Sequence, residues 1–335
     1  MMAWTMQALT FSRFGGPEVL TAATLPAPAL APRTALVRMR AIGVNFADVY
    51  RRRGNYHLEG APPWVLGYEG AGVIEAMDDG GEGAGHSAAF RVGDRVAFAD
   101  VAHANAELVR APLERLVRLP EDITFDVAAA VLLQGLTAHY LVHDSHALGA
   151  GELAVVHAAA GGVGQLLVQL AKHAGARVLA VASSDEKCAL ARRIGADDAV
   201  RSDDDWVARA QALGAGRGAD VVYDSVGSTL DASLRAARVG GHVVFYGMAG
   251  GDPAPVDPRR LMDESKTLTG GDLWNVLTSH EERVRRSDAI FELIASGALR
   301  VEIAGRVPLA RGAEAHTLLE SRTVTGKLLL IPDGA

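Results

Sequence analysis

The chain has 335 residues, of which 49% are hydrophobic and 22% are charged, and its formal net charge at pH 7 is −7. This length suits two domains with separate cores, and the negative charge disfavours nonspecific binding to nucleic acid or to anionic membranes. The single cysteine, Cys188, excludes a disulfide within this chain and a zinc cluster built from cysteines.

The N-terminal residues lack the basic start and the apolar run of a signal peptide. We expect no stretch to approach the roughly eighteen uncharged apolar residues that a membrane span requires. A cytoplasmic protein without a membrane partner is therefore expected.

The N-terminal part of the chain has the pattern of strands and loops. Short apolar runs at residues 35–39 and 70–74 are interrupted by glycine, proline and polar residues. The glycine-rich and acidic stretch 78–86 predicts a surface loop. This part should therefore form a β-rich domain.

The middle of the chain alternates between strand and helix patterns. Predicted strands cover residues 153–158, 177–182, 219–223 and 242–246, and predicted helices cover residues 164–174 and 185–194. Such alternation is typical of βαβ units around a parallel sheet. The interpretation is an α/β fold whose middle part contains a parallel sheet.

After about residue 272 the pattern changes again. A helix is predicted over residues 281–296, followed by strand, helix and a last strand over residues 327–331. The parallel-sheet domain, residues 132–272, is therefore inserted between two pieces of another domain, residues 1–131 and 273–335.

The segment VVHAAAGGVG, residues 155–164, follows a predicted strand and opens a predicted helix. Ala159, Gly161 and Gly164 supply the three small residues that a dinucleotide fingerprint requires. We expect Gly161 to admit the pyrophosphate and the N–H groups of Gly162 and Val163 to bind phosphate. A purely structural turn is the alternative, but the surrounding βα units favour cofactor binding.

The tip of the second predicted strand indicates which dinucleotide binds. An NAD site needs an acidic residue there to accept hydrogen bonds from the ribose. This chain has Ser183 and Ser184, with Lys187 beginning the next helix and Asp185 close by. Lys187 could equally be a solvated helix residue. The missing acid nevertheless favours a 2′-phosphate, and the predicted cofactor is NADPH.

Motifs that run in order along nearly the whole chain identify a family. They are FGGPEVL at 14–20, GVNFADVYRRRGNY at 43–56, GYEGAG at 67–72, VGDRV at 92–96, LLQGLTAHYL at 132–141, HAAAGGVG at 157–164, VVYDSVG at 221–227 and ESRTVTGKLLLIP from Glu320. The chain resembles the medium-chain dehydrogenase/reductase superfamily, in its zinc-independent quinone oxidoreductase (zeta-crystallin-like) branch.

The resemblance implies a GroES-like, β-rich catalytic domain formed from both ends of the chain, a doubly wound, NADPH-binding Rossmann domain between them, and usually a homodimer. We expect the strand 242–246 to be the sheet edge that pairs with its twin across the two-fold axis. The loop 78–89 is longer than the family pattern. A tyrosine that is frequent near the adenosine phosphate is replaced by Arg201 and Ser202.

Zinc-containing relatives place Cys, His and Glu as metal ligands. This chain has Asn45 at the Cys position and Tyr68 at the His position, which leaves Glu69 alone. A tetrahedral zinc site needs at least three protein ligands, so no metal is expected. His143 and His146 are three residues apart, but we interpret them as a surface pair at a helix end.

The resemblance also indicates the remaining candidate site residues. Tyr56, in a Gly-Asn-Tyr context, resembles a catalytic tyrosine of enoyl-thioester reductases and can donate a hydrogen bond to the acceptor oxygen. Asn45 is the second catalytic candidate and is expected to orient the nicotinamide. Further cofactor contacts are expected from Gln134, Thr137, Tyr246 and Arg322.

Three functions remain open. The first is NADPH-dependent reduction of a quinone by hydride transfer without a metal, the cofactor supplying the difficult chemistry. The second is reduction of an enone or an enoyl thioester, for which the basic run at residues 51–53 could bind CoA or could be a solvated surface. The third is an NADPH-binding structural or regulatory protein with little turnover.

Overall fold

The computed structural model describes residues 4–58, 60–81 and 90–334. The predicted loop over residues 78–89 therefore lies mostly outside the described residues. The chain divides into two compact units. Unit 1 comprises Met1–Leu133, Leu277–Ala295 and Val301–Ala335, and unit 2 comprises Gln134–Val276 and Ser296–Arg300.

The strands of the described residues are β1 (Thr5–Phe11), β2 (Thr21–Pro26), β3 (Thr34–Gly43), β4 (Trp64–Val65), β5 (Gly70–Asp78), β6 (Arg95–Phe98), β7 (Leu108–Pro112), β8 (Val117–Arg118), β9 (Leu153–Val156), β10 (Arg177–Ala182), β11 (Asp198–Arg201), β12 (Ala219–Asp224), β13 (Ala237–Phe245), β14 (Thr267–Gly270), β15 (Ile303–Pro308) and β16 (Lys327–Ile331). The α-helices are α1 (Phe46–Arg53), α2 (Phe125–Tyr140), α3 (Gly162–His173), α4 (Asp185–Arg193), α5 (Trp206–Leu213), α6 (Leu230–Ala236), α7 (Pro258–Asp263), α8 (His280–Ala295) and α9 (Gly312–Ser321).

Unit 1 contains two sheets that are mainly antiparallel. The smaller has the order β2-β1-β4, and the larger has the order β15-β16-β3-β5-β6-β8, with β7 also paired to β3. Along β3, buried residues alternate with half-buried ones, which is the pattern of a strand with one face on the core. Both sheets and α9 contribute apolar side chains to one core.

Unit 2 contains a six-stranded parallel sheet in the order β11-β10-β9-β12-β13-β14. Strand β9 is wholly buried, because parallel strands covered by helices on both faces need apolar residues at successive positions. The expected parallel sheet is thus confirmed. The strand predicted over 153–158 is shorter than expected, because the chain leaves the sheet after Val156 to make the turn into α3.

The prediction that residues 242–246 form the sheet edge is wrong. Strand β13 pairs with β12 on one side and with β14 on the other. The short β14, with the sequence TLTG, gives little sequence signal because it has four residues and ends in glycine. This additional strand covers β13 and becomes the edge next to it.

Helix α2 is continued by a π-helical turn over Leu141–Ser145. Within the described ranges, this combined helix, Phe125–Ser145, is the one that is long and apolar enough to cross a membrane by length and composition. Our expectation that no stretch approaches such a composition is therefore wrong. The protein buries 78% of the apolar window of this helix. Such burial is typical of a core helix, which needs apolar residues on most of its surface.

Candidate functional site

The predicted phosphate-binding turn joins β9 to α3 in unit 2. Ala158 has a φ of 47°, a conformation that side-chain-bearing residues rarely adopt, and Gly161 caps the start of α3. A Cβ atom on Gly164 would lie 2.3 Å from the carbonyl oxygen of Ala158 and 2.8 Å from Cα of Ala159. Helix and turn are thus packed so closely that only glycine fits at residue 164.

The start of α3 also lies against Gln134, another predicted cofactor residue. A Cβ atom on Gly162 would lie 2.1 Å from Oε1 of Gln134, so the two residues are in direct contact. On Gly161 an added Cβ would meet only the carbonyl oxygen of Ala158, at 3.1 Å. Thr137 is almost fully buried and lies one helical turn after Gln134 in α2.

A buried polar network that the sequence interpretation missed supports this turn. His157 Nε2 lies 3.2 Å from the hydroxyl of Ser233, which donates to Asp224 Oδ2 at 2.6 Å. The His157 ring packs edge-on against Trp206 with 4.6 Å between centroids. Burial lowers the pKa of His157, so the neutral form is favoured. The network connects the carboxyl ends of β9 and β12, which are neighbours in the sheet.

Asp224 organises the loop that follows β12. Its carboxylate accepts hydrogen bonds from the N–H groups of Val226 and Gly227 and from the hydroxyl of Thr229. Burial raises the pKa of Asp224, but the hydrogen bonds from Ser233, Gly227 and Val226 outweigh that effect and keep the pKa below its ordinary value. Tyr246, a predicted cofactor residue, follows β13 and donates its backbone N–H to the Asp224 carbonyl at 2.9 Å.

The two residues predicted to hold the 2′-phosphate lie together at the tip of β10. Lys187 Nζ donates to the hydroxyl of Ser183 at 3.1 Å. Ser184 caps α4 by accepting from the backbone N–H of Lys187. Asp185 has 85% of its side chain exposed, and its carboxylate lies 3.8 Å from Nη1 of Arg201. The tip therefore carries two cations, Lys187 and Arg201, together with the Ser183 hydroxyl and the Asp185 carboxylate.

In unit 1, Asn45 belongs to a buried network with Glu69 and Lys327. Asn45 Nδ2 donates to Glu69 at 2.9 Å, and Asn45 Oδ1 accepts from Lys327 Nζ at 2.7 Å. Lys327 Nζ also contacts Glu69 Oε2 at 2.6 Å, while Glu69 Oε1 accepts from the N–H of Leu133 at 2.6 Å. Glu69 is 0% exposed, Lys327 2% and Asn45 4%.

These contacts bear on the predicted role of Asn45. Both the oxygen and the nitrogen of its amide are engaged with Lys327 and Glu69, and its backbone N–H donates to Asp48 at 3.0 Å to start α1. A contact between Asn45 and the nicotinamide stays a prediction. Lys327 was missed because a lysine that begins an apolar strand is ordinarily exposed.

Tyr56, the predicted hydrogen-bond donor to the acceptor oxygen, lies beside a buried cation. The Arg51 guanidinium carbon is 4.8 Å from the Tyr56 ring centroid and 3.6 Å from that of Tyr68. Arg51 Nε donates to the carbonyl of His57 at 2.8 Å, and Nη1 lies 3.8 Å from Asp48. Burial raises the pKa of Asp48 to about 6, although the nearby Arg51 opposes this.

The interpretation of residues 51–53 as a CoA-binding or solvated run is wrong for two of the three arginines. Arg51 is 1% exposed and Arg52 is 0% exposed. Arg52 contacts His316 Nδ1 at 3.1 Å and also forms an ion pair with Glu320. The run lies on one short helix whose successive residues face different directions, so most of it turns inward.

The remaining candidate of unit 1, Arg322, follows α9 in the left-handed conformation, with a φ of 57°, and is exposed. Its contact with the cofactor stays a prediction. The candidates are divided between the units: Asn45, Tyr56 and Arg322 belong to unit 1, and the others belong to unit 2.

No group of three or more His, Cys, Asp or Glu residues suited to a metal ion occurs in the described part of the chain. Glu69 is engaged with Lys327, and the Tyr68 ring is covered by Arg51. His143 and His146 do not form the expected surface pair. His143 stacks on the ring of His139, whereas the half-buried His146 lies 3.2 Å from both His242 and Glu152.

Comparison with known proteins identifies the family. Residues 31–150 match the model described as alcohol dehydrogenase GroES-like domain, and residues 162–284 match the one described as zinc-binding dehydrogenase. The quinone oxidoreductase of Pseudomonas aeruginosa is 40% identical over 97% of this chain and 99% of its own length. The 2-haloacrylate reductase of a Burkholderia species is 33% identical over 98% of this chain and 99% of its own.

A solved structure, Escherichia coli quinone oxidoreductase complexed with NADPH, superposes with a TM-score of 0.92 at 34% identity. The match covers 97% of this chain and 100% of that one. The expected GroES-like and Rossmann domains and the expected family are thereby confirmed. The chain belongs to the quinone oxidoreductases of the medium-chain dehydrogenase/reductase superfamily.

Proposed function

We propose that the protein is an NADPH-dependent oxidoreductase that reduces a quinone by hydride transfer without a metal. The observation that carries the cofactor assignment is the tip of β10, where Lys187 contacts Ser183 at the position that an acidic residue occupies in an NAD site. The E. coli relative complexed with NADPH supports the same assignment. The quinone is inferred from the names of the relatives.

The residues of the β9–α3 turn fit a dinucleotide. The residues at the start of α3 are half-buried, and their N–H groups can bind the pyrophosphate, aided by the positive end of the helix dipole. Bound NADPH supplies the hydride. The protein then has to hold the acceptor and favour the negative charge that develops on its oxygen.

Tyr56 is our candidate for stabilising that charge. Its phenol can donate a hydrogen bond to the acceptor oxygen, and the Arg51 cation beside its ring favours negative charge in the same region. Lys327 and Glu69 hold Asn45 at the start of α1, the helix that precedes Tyr56. They act as positioning residues in this proposal.

The proposed function is tested with purified protein, NADPH and three classes of acceptor, namely quinones, unactivated enones and enoyl thioesters. We expect NADPH to be consumed fastest with quinones. Preference for an enone would favour the second candidate, which the similarity to a 2-haloacrylate reductase supports. Cofactor binding without turnover on any acceptor would favour a structural or regulatory protein and would contradict an enzymatic role.

Substituting Tyr56 by phenylalanine should have a graded effect. A hydrogen-bond donor to a developing oxyanion contributes about 2.7–4 kcal/mol to transition-state stabilisation. A quinone needs less of this help because its reduced oxygen is already delocalised. Tyr56→Phe should therefore lower kcat/KM slightly with a quinone and strongly with an enone, at unchanged NADPH affinity.

Tyr50→Phe is the matched control, because its ring packs against Tyr56 with 6.4 Å between centroids and it has no assigned chemistry. Equal losses for both acceptors in the Tyr56 variant would show that Tyr56 is not an acceptor-specific donor. No loss with either would assign the donor to another group.

Lys187→Ala should weaken NADPH binding by at least about tenfold, because one charge-assisted phosphate contact is worth roughly 1.5–3 kcal/mol. NADH binding should stay nearly the same, since NADH has no 2′-phosphate. Calorimetric titration with both cofactors measures the two affinities. Equal losses for the two cofactors would mean that Lys187 does not contact the phosphate.

We also propose a cytoplasmic homodimer without bound zinc. The short edge strand β14 exposes backbone groups on which a second copy could pair, which would extend the sheet across a two-fold axis. Light scattering at micromolar concentration measures the mass, and a monomer would contradict the dimer.

Elemental analysis measures the metal content of the purified protein. Stoichiometric, tightly bound zinc would contradict the prediction that the protein holds no zinc.

A further inference from the structure

Arg201 lies next to the proposed phosphate site although it comes from a different strand. It is the last residue of β11 and is paired in register with Ala182, the last residue of β10. The N–H of Ser202 donates to the Ala182 carbonyl at 2.7 Å, so the chain after Arg201 continues along the tip of β10. Arg201 therefore lies on the strand next to β10, beside the end of β10 that Ser183 follows.

The guanidinium of Arg201 points towards the first turn of α4. Its Nη1 is 3.8 Å from Asp185, the first residue of that helix. Lys187 and Ser183 are joined within the same turn. A phosphate bound to Ser183 and Lys187 would thus lie within reach of Arg201, whose planar donors suit two phosphate oxygens at once.

At present a carboxylate occupies those donors. Asp203 accepts from Arg201 Nε at 2.9 Å and from Nη2 at 2.6 Å. Both side chains are partly exposed, 39% for Arg201 and 62% for Asp203, so exchanging this partner requires little rearrangement. Two more carboxylates, Asp204 and Asp205, follow in sequence, and Asp205 is committed to capping α5.

We propose that Arg201 is a specificity-determining residue that binds the 2′-phosphate of NADPH by exchanging Asp203 for the phosphate. This inference rests on the proposed NADPH site. With NADH, the ion pair between Arg201 and Asp203 persists, and the residue contributes nothing to binding. With NADPH, a dianionic phosphate replaces a single carboxylate, and Asp203 becomes a competitor whose removal strengthens binding.

The experiment uses two probes that differ only in the 2′-phosphate, adenosine 2′,5′-bisphosphate and 5′-AMP, titrated calorimetrically into the intact protein. Arg201→Ala should weaken binding of the bisphosphate by about tenfold and leave 5′-AMP unchanged. Asp203→Asn should strengthen binding of the bisphosphate only. Asp204→Asn, one residue further along, is the matched control and should have a smaller effect on bisphosphate binding.

The outcomes separate this inference from the proposed function. If the unmodified protein binds the two probes equally, the NADPH preference itself is wrong. If it prefers the bisphosphate and Arg201→Ala retains that preference in full, the assignment of Arg201 is overturned while the NADPH site stands. Thermal unfolding of each variant checks that the surface substitutions leave the fold intact.

Discussion

Replacing Lys327 by methionine should lower the free energy of unfolding by about 3–5 kcal/mol. The substitution removes the ammonium that contacts Glu69 Oε2 at 2.6 Å and Asn45 Oδ1 at 2.7 Å. Glu69 is 0% exposed, so its carboxylate would stay buried without a cation, and water cannot solvate it where it lies. Urea unfolding at neutral pH measures the loss, and an unchanged m-value shows that the fold persists.

The double variant Glu69→Gln with Lys327→Met is the matched control. It removes both charges and keeps side chains of similar size, and neutral replacement of a complete buried ion pair is often tolerated. The amide oxygen that replaces the carboxylate could still accept from the backbone N–H of Leu133, which now donates to Glu69. We expect the double variant to be more stable than Lys327→Met alone. A loss below about 1 kcal/mol in the single variant would contradict the prediction, because the pair would then behave like an exposed one.

Local sequence patterns were sufficient for several elements in both units. The predicted strand over 177–182 and the last strand over 327–331 have the bounds of β10 and β16, and the predicted helix over 185–194 is one residue longer than α4. These elements have continuous apolar runs or a strong cap. Strand β14 was missed because it has only four residues and ends in glycine. The order of strands at that side of the sheet was missed as a consequence.

The same distinction applies to the candidate site. The fingerprint and the contact between Ser183 and Lys187 involve residues close in sequence, so spacing alone indicated them. The contacts of Lys327 with Asn45 and Glu69 join residues 282 and 258 positions apart. Their burial depends on which strands become neighbours in the sheet, and composition carries no information about that.

Arg51 illustrates a further limit. Three successive arginines suggested an exposed basic patch, yet the Arg51 guanidinium is covered by the rings of Tyr56 and Tyr68. Only the folded chain brings residue 68 to this helix. The predicted donor Tyr56 thereby gained a cationic neighbour that sequence reasoning had assigned to a different function.

The second large effect is expected at residue 164. Gly164→Ala should lower the free energy of unfolding by about 1–3 kcal/mol and weaken NADPH binding strongly. The new Cβ would lie 2.3 Å from the Ala158 carbonyl oxygen and 2.8 Å from Cα of Ala159, both backbone atoms of a turn that is already strained at Ala158. These backbone atoms cannot move aside as the end of a flexible side chain can. The new Cβ would therefore force α3 to shift, and the N–H groups of its first turn would move with the helix.

Gly161→Ala and Gly162→Ala separate packing from cofactor binding. On Gly161 the Cβ would meet one atom, at 3.1 Å, and its φ of −79° suits any residue, so stability should change little. If Gly161 lies against the pyrophosphate, this variant should lose NADPH affinity at nearly unchanged stability. On Gly162 the Cβ would meet the end of the Gln134 side chain, which can move, so a smaller loss of stability than at Gly164 is expected.

Thermal unfolding and NADPH titration of the three variants measure both quantities. Equal losses of stability at all three positions would show that the close approach at Gly164 does not determine the packing of α3, and unchanged NADPH affinity in Gly161→Ala would place the pyrophosphate elsewhere.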